Sequence, residues 1–354
     1  MAFSQSVMRS QAPVKCGICE TDRPIQWECI DCSKLLCDHC KEKVHPEFQK
    51  AKDHQVITKV TGQSTVAELS INKQYQTQLP EVGHISYNDD DSLWISNGTD
   101  KVLQRVKPEG TKLKILSSYH TRVFGMAVTQ SNNLLMSTGK SRLKQISNNT
   151  GTLTDSVYNV TPFFATAVHV NSENKVLVGG SITGHPSEGR NVVTLMNQNG
   201  DHERVYEHDQ HKQPIFTYPG RITSSSNGNI HVLDLISIYT GGRIVVLGHG
   251  GDIINIYTGD TEINKVRPFF PGDLATTPSD NVIVADGITH TLHILNNAGL
   301  LMTYYKTKDR NIQFPLSLTF STKGHLYIGC AKGAEGSTCR SKEPKIFEVT
   351  ILGY

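Results

Sequence analysis

Eight residues near the N-terminus have the types and spacing to hold metal: Cys16, Cys19, Cys29, Cys32, Cys37, Cys40, His45 and His54. They follow the pattern Cys-x2-Cys, x9, Cys-x2-Cys, x4, Cys-x2-Cys, x4-His-x8-His. Each Cys-x2-Cys sets two thiolates about one turn apart, where both can grip one tetrahedral zinc. Eight ligands complete two tetrahedra and leave no open position for a reactive water, so two structural zinc ions are expected. Six of the eight cysteines fall between positions 16 and 40, interleaved with histidine, in a chain that opens MAFSQSVMRSQAPVK without an apolar export signal. That usage reads as metal ligation in a reducing compartment rather than as disulfides, and the expected location is cytoplasmic. His39, inside a knuckle, reads as an exposed bystander. Trp27 and the Leu35–Leu36 pair are expected to form a small apolar core that needs metal to complete its stability.

The elements beyond this segment change in texture. From about residue 80 the chain consists of short apolar runs, Gly/Asn turns and little helical periodicity. The stretch FPGDLATTPSDNVIVADGITHTLHILNNAGLLMTYY, residues 270–305, reads as four strands joined by polar turns. The same order recurs from Gly83, Phe124, Phe164, Tyr218 and Phe314. Glycine marks the turn between the last two strands at Gly110, Gly151, Gly200, Gly251 and Gly299, where a tight hairpin wants positive φ. Six four-strand units of roughly 40–55 residues predict a six-bladed β-propeller. The sixth unit has only three strands. The segment VAELSINKQYQTQL, residues 66–79, belongs to no repeat, with Leu69, Ile71 and Tyr75 on one face. It is expected to complete the last blade and remove its open edge.

The fold class is therefore mostly β: a small two-zinc finger over residues 12–60, a linker at 61–65, and a propeller over 66–354. The finger's spacing resembles a B-box type 1 finger of the tripartite-motif family, because both histidines follow all the cysteines, whereas a RING finger carries its histidine within the series. Finger plus propeller is similar to invertebrate members of that family with an NHL-like propeller. In the family the ligands interleave. By that resemblance Cys16, Cys19, Cys37 and Cys40 hold one ion, and Cys29, Cys32, His45 and His54 the other. Sequential pairing uses the same eight residues. The resemblance implies an adaptor that binds proteins in ubiquitin-linked or innate-defence regulation. Alternatives are an accessory part of a ubiquitin ligase complex, or RNA binding through the propeller. No RING precedes the finger, and residues 55–65 show no heptads, so the chain is expected to be a monomer without ligase activity of its own.

Other chemistry is weakly supported. No apolar run of about 18 residues is present to span a membrane. Residues 63–354 hold 26 basic and 25 acidic residues, a balance unlike that of a general nucleic-acid binder. The basic cluster Lys140, Arg142 and Lys144, with Lys112 and Lys114, is the segment that RNA would use. Asp234 and Asp286 sit at equivalent strand ends, as the metal ligands of a propeller hydrolase would, but the matching positions are Ser96, Ser137, Gly180 and Cys330. A ring of hard oxygen ligands is missing, and capping of turns is the expected role of both aspartates. The chain is expected not to be an enzyme. Ser137-Thr-Gly-Lys140 matches a Ser-x-x-Lys pattern but falls on a loop. The sequons at Asn97, Asn148 and Asn159 are expected to be unmodified.

Overall fold

Runs such as residues 282–285 and Leu326–Cys330 are too short for a stable helix and carry no charged residue, which suits strands covered on both faces. In the computed structural model they form one architecture, described over residues 16–19, 25–29, 34–47, 56–58, 68–98, 100–186, 189–237, 241–331 and 345–352. The chain divides into two compact units, Met1–Thr65 and Val66–Tyr354.

The second unit is a six-bladed β-propeller of six four-stranded antiparallel sheets. The inner strands are His84–Tyr87, Gly125–Val128, Phe164–Val170, Pro219–Ser224, Pro271–Thr276 and Pro315–Phe320 in blades one to six. Each adjoins the inner strand of the next blade, and blade six adjoins blade one, so the ring is closed. Second strands are buried along their length in five blades, because a neighbouring blade covers each face, and in blade four the strand is buried up to Asp234. The outer strand Leu301–Lys306 alternates, exposing every second residue.

The turn glycines behave as their position demands. Gly110, Gly151, Gly200, Gly251 and Gly299 all lie at positive φ, between 63° and 91°. A second repeat, not noticed in the sequence, is stricter. The turn after each inner strand places Asp91, Asn132, Asn174, Gly228, Asp280 or Gly324 in the left-handed region. Each of these donates its N–H to the carbonyl three residues earlier, at 2.8–3.1 Å. In four blades the side chain of that earlier residue (Thr129, Asn171, Thr277 or Ser321) also accepts the N–H four residues on. Asn, Asp, Ser and Thr recur here because short polar side chains can close the turn on its own backbone.

Blade six contains the strand that belongs to no repeat. Glu68–Gln76 pairs antiparallel with Lys345–Leu352 as its outermost strand. Tyr75 and Tyr327 both donate to buried Glu348, at 2.9 and 3.1 Å, and His325 lies 3.1 Å from the same carboxylate. The expected face is corrected in one place. Leu69 and Tyr75 are buried, but Ile71 is 38% exposed, where the register slips between its partner Val349 and Glu348. A bulge offsets the alternation on which that expectation rested. Leu69→Ala is accordingly expected to cost about 2–4 kcal/mol, and Ile71→Ala, two residues away, under about 1 kcal/mol. Denaturant midpoints of the two variants check this, and equal losses would contradict the register.

Candidate metal centre and axial cavity

In the first unit, Ile25–Cys29 pairs with Lys34–Cys37 on one side and with Val56–Thr58 on the other. A short helical segment, Cys40–Val44, follows and continues in a single 3-10 turn, His45–Glu47. This arrangement brings Cys16, Cys19, Cys37 and Cys40 together, with their ligand atoms all within 4.8 Å of one another. Cys19 Sγ and Cys37 Sγ are 3.9 Å apart. A disulfide needs about 2.0 Å, whereas two thiolates on one tetrahedral zinc stand about 3.8 Å apart for bonds of about 2.3 Å. The residues fit a metal ion.

Local electrostatics point the same way. The backbone N–H of Cys37 donates to Cys16 Sγ at 3.5 Å. Burial works against ionising Cys16, but N–H groups of Cys19, Cys37 and Ile18 outweigh it and hold the thiol below its ordinary range. Burial, with the neighbouring thiols, drives Cys40 well above that range. Four crowded sulfurs cannot all become thiolates unless a cation compensates them.

Of the remaining ligands expected from sequence, Cys29 and His45 are buried, while Cys32 and His54 lie outside the described residues. His39 is exposed. The expected apolar core is revised. Leu36 is buried, but Trp27 is half-buried, donating to Asp38 at 2.6 Å beneath the Lys41 ammonium, 3.7 Å from the ring. The packed cluster is Cys16, Cys37 and Cys40 with Ile18, Cys19 and Val44, so the sulfurs themselves form much of the core.

The propeller axis holds a cavity of about 260 Å³ whose lining includes His84, Ser86, His169, Thr223, Thr276 and Thr319. Arg221, on the inner strand of blade four, crosses the end where the inner strands begin. Its Nη1 donates to the Phe124 carbonyl of blade two at 2.9 Å, and its Nη2 to the Gly83 carbonyl of blade one at 3.1 Å. Its Nε faces Asp273 of blade five at 3.5 Å. Asp273 also accepts the N–H groups of Leu274 and Leu318. Burial pushes the Asp273 carboxyl up to about 6 against the opposing pull of Arg221. Sequence reading passed over this pair. The signal was Pro-Gly-Arg221 and Pro-Gly-Asp273 at matching positions of two units, charged where an inner strand is otherwise apolar or small.

Asp234 and Asp286 do not reach the axis chemistry. Asp234 accepts the N–H groups of Thr217 and Tyr218 and pairs with Arg243 at 2.9 Å. Asp286 accepts from Ile288, Thr289 and Asn264. Both close turns. Among the described residues, the four cysteines are the one His/Cys/Asp/Glu group arranged to hold a metal. In the basic cluster, Lys144 pairs with Asp155 at 2.6 Å, Lys114 with Glu109 at 3.3 Å, and Arg142 donates to the Ser156 carbonyl.

Burial holds His169, His231 and His293 down at about 4, and His84 well below its ordinary value. A base whose folded pKa is depressed costs nothing above the unfolded value of about 6.5, and it destabilises as pH falls from there towards 4. Asp273 acts in the opposite sense, since its raised carboxyl stabilises progressively as pH falls through about 6. The three imidazoles should therefore titrate near pH 4 in an NMR pH series. Midpoints near 6.5 would show that the rings are solvated.

No protein-family model matches the chain, and no curated protein is significantly similar to it. Solved structures do resemble it. A luciferin-regenerating enzyme aligns with 81% of this chain and 97% of its own, at 12% identity and a TM-score of 0.58. A gluconolactonase from Xanthomonas campestris aligns over 81% and 91%, at 11% identity and a TM-score of 0.56. The aldose sugar dehydrogenase of Streptomyces coelicolor, in its PQQ-bound form, aligns over 81% and 98%, at 11% identity and a TM-score of 0.58. At this identity the likeness shows the fold. It also corrects the expectation that the chain is not an enzyme: these propellers bear the names of enzymes, so this architecture gives no ground for excluding catalysis. No helix among the described residues is long and apolar enough to cross a membrane.

Proposed function

We propose that the chain is a zinc-binding interaction adaptor of tripartite-motif type, in which the finger and the propeller each hold a protein partner. The cluster of Cys16, Cys19, Cys37 and Cys40 carries this reading, since an enclosed four-sulfur site serves to build a docking surface. That set is also the one the interleaved pairing of B-box fingers implies, which leaves Cys29, Cys32, His45 and His54 for a second ion. Loops on a rigid propeller supply the second surface. Native mass spectrometry of the intact chain should find two zinc ions. Proximity labelling in cells should give two partner sets, one lost when residues 1–62 are deleted and one retained. A chain without zinc, or a single set indifferent to the deletion, would end the adaptor reading.

A second reading rests on the axial cavity. The Asp273 carboxyl, pushed up to about 6, lies beside it with His84 and Arg221, and a group poised near neutrality is suited to moving a proton for a small polar substrate. Turnover from a small-molecule panel that disappears in Asp273→Asn would support it. Turnover that survives the change would remove Asp273 from the chemistry.

A further inference from the structure

We infer that the propeller holds its partner through a cleft at the start of blades two to four, and that this cleft takes an acidic peptide segment with an aromatic or aliphatic anchor. This rests on the adaptor reading and gives its second surface a place and a chemistry. The cleft, of about 250 Å³, is lined by Arg122 and Phe124, the loop of Thr138 and Gly139, Phe164, and Tyr218. All lie where chain segments enter inner strands or leave second strands, on the rim rather than along the axis.

Three observations carry the assignment. The first is an aromatic wall. Phe164 is 42% exposed although it opens a strand, and Phe124 is half-buried beside it. A glycine makes room for the first ring, since a Cβ at Gly139 would stand 2.8 Å from the Phe124 ring, and Gly184 packs beside Phe164. The second is charge. The Arg122 guanidinium lies 5.8 Å from the centre of the Phe124 ring, exposed, with no carboxylate in ion-pair range among the described residues. Among the described residues no acidic side chain lines the cleft, and Lys140, the next residue in the loop, is exposed and similarly without an ion-pair partner among them. The third is a vacancy in the hydrogen bonding. Thr138 Oγ1 is buried without a partner, which costs free energy unless something docks against it.

A carboxylate fits the fork of Arg122, an apolar side chain fits the aromatic wall, and a peptide N–H or C=O fits the Thr138 hydroxyl. Single-stranded nucleic acid is favoured less. A phosphate backbone wants a track of free cations, but Lys144 and Lys114 are tied to carboxylates.

The test uses the full chain and a display library of random twelve-residue peptides. Selection should enrich Asp or Glu next to Phe, Tyr, Trp or Leu. The enriched peptides should lose about tenfold or more in affinity in Phe164→Ala and in Arg122→Glu, a change of about 1.4 kcal/mol. Both side chains are partly or wholly exposed, so melting temperatures should stay at the wild-type value, which checks folding. Selection on Arg122→Glu should shift towards basic peptides. Enrichment that is indifferent to both substitutions would overturn the proposal. So would competition by a single-stranded oligouridylate whose binding requires Phe164. If proximity labelling retains the propeller's partners in Phe164→Ala, the cleft fails while the adaptor reading stands. If labelling finds no partners at all, the adaptor reading fails first.

Discussion

Chelation is expected to unfold the first unit while leaving the melting of the propeller unchanged. The finger's sheet consists of strands of five, four and three residues, and its packed cluster is largely the cysteines themselves. So little apolar burial cannot offset the entropy of ordering the chain, and the missing stabilisation must come from metal. Structural zinc in fingers contributes on the order of 10–16 kcal/mol of apparent binding free energy near neutral pH, more than the net stability of most domains. The readout is clean, because the chain has two tryptophans, Trp27 in the finger and buried Trp94 in the propeller. In a Trp94→Phe background, Trp27 fluorescence should move to that of an unfolded chain on adding a strong chelator and recover with zinc. Cys37→Ser should mimic the chelated state. Fluorescence indifferent to both treatments would contradict a metal-built finger.

Replacing Arg221 is expected to be the most damaging single change in the propeller. Its guanidinium ties blades one, two, four and five across the axis, so Arg221→Met removes contacts to two carbonyls and leaves the Asp273 carboxyl without its cation. Leaving the Asp273 carboxylate without its part-buried partner costs about 3 kcal/mol. For a unit of this size that corresponds to roughly 10 °C of melting temperature. The loss should shrink at acid pH, because Asp273 then protonates and no longer needs a counter-charge, and it should grow as pH rises above about 6. Arg221→Met with Asp273→Asn should recover part of the stability. Scanning calorimetry of both variants at two pH values decides it, and a single variant as stable as wild type would mean that the axis is held by other bonds.

The sequence made the repeat and the metal ligands legible for different reasons. Turn glycines such as Gly110 and Gly299 are forced by backbone geometry, and they marked the blades even though their neighbours vary. Knuckle spacing is forced by the size of a metal ion, so Cys16, Cys19, Cys37 and Cys40 stood out before any fold was known. The axis was not legible. Arg221 and Asp273 meet only because the ring closes, and nothing local links residues 52 positions apart. The aspartates that did attract attention are spent on backbone N–H groups, Asp286 on its own turn and Asp234 on the segment that enters the inner strand of its blade. The cleft was invisible for a similar reason, since Phe124 and Phe164 belong to different blades. Ile71 went astray at a single bulge, which flips a side chain without changing the pattern of residues.

The strand contributed by Glu68–Gln76 constrains the order in which the propeller can be completed during synthesis. Tyr75 and Glu348 are 273 positions apart, so the first strand of the propeller to leave the ribosome waits for its last. At typical elongation rates, that is tens of seconds with its hydrogen-bonding edge uncovered. Five blades can assemble as they emerge, but the circle is sealed only after translation of the final strand. A nascent chain stalled before residue 345 should therefore be open to protease and to chaperones at residues 68–76, and become protected once the last strand is released.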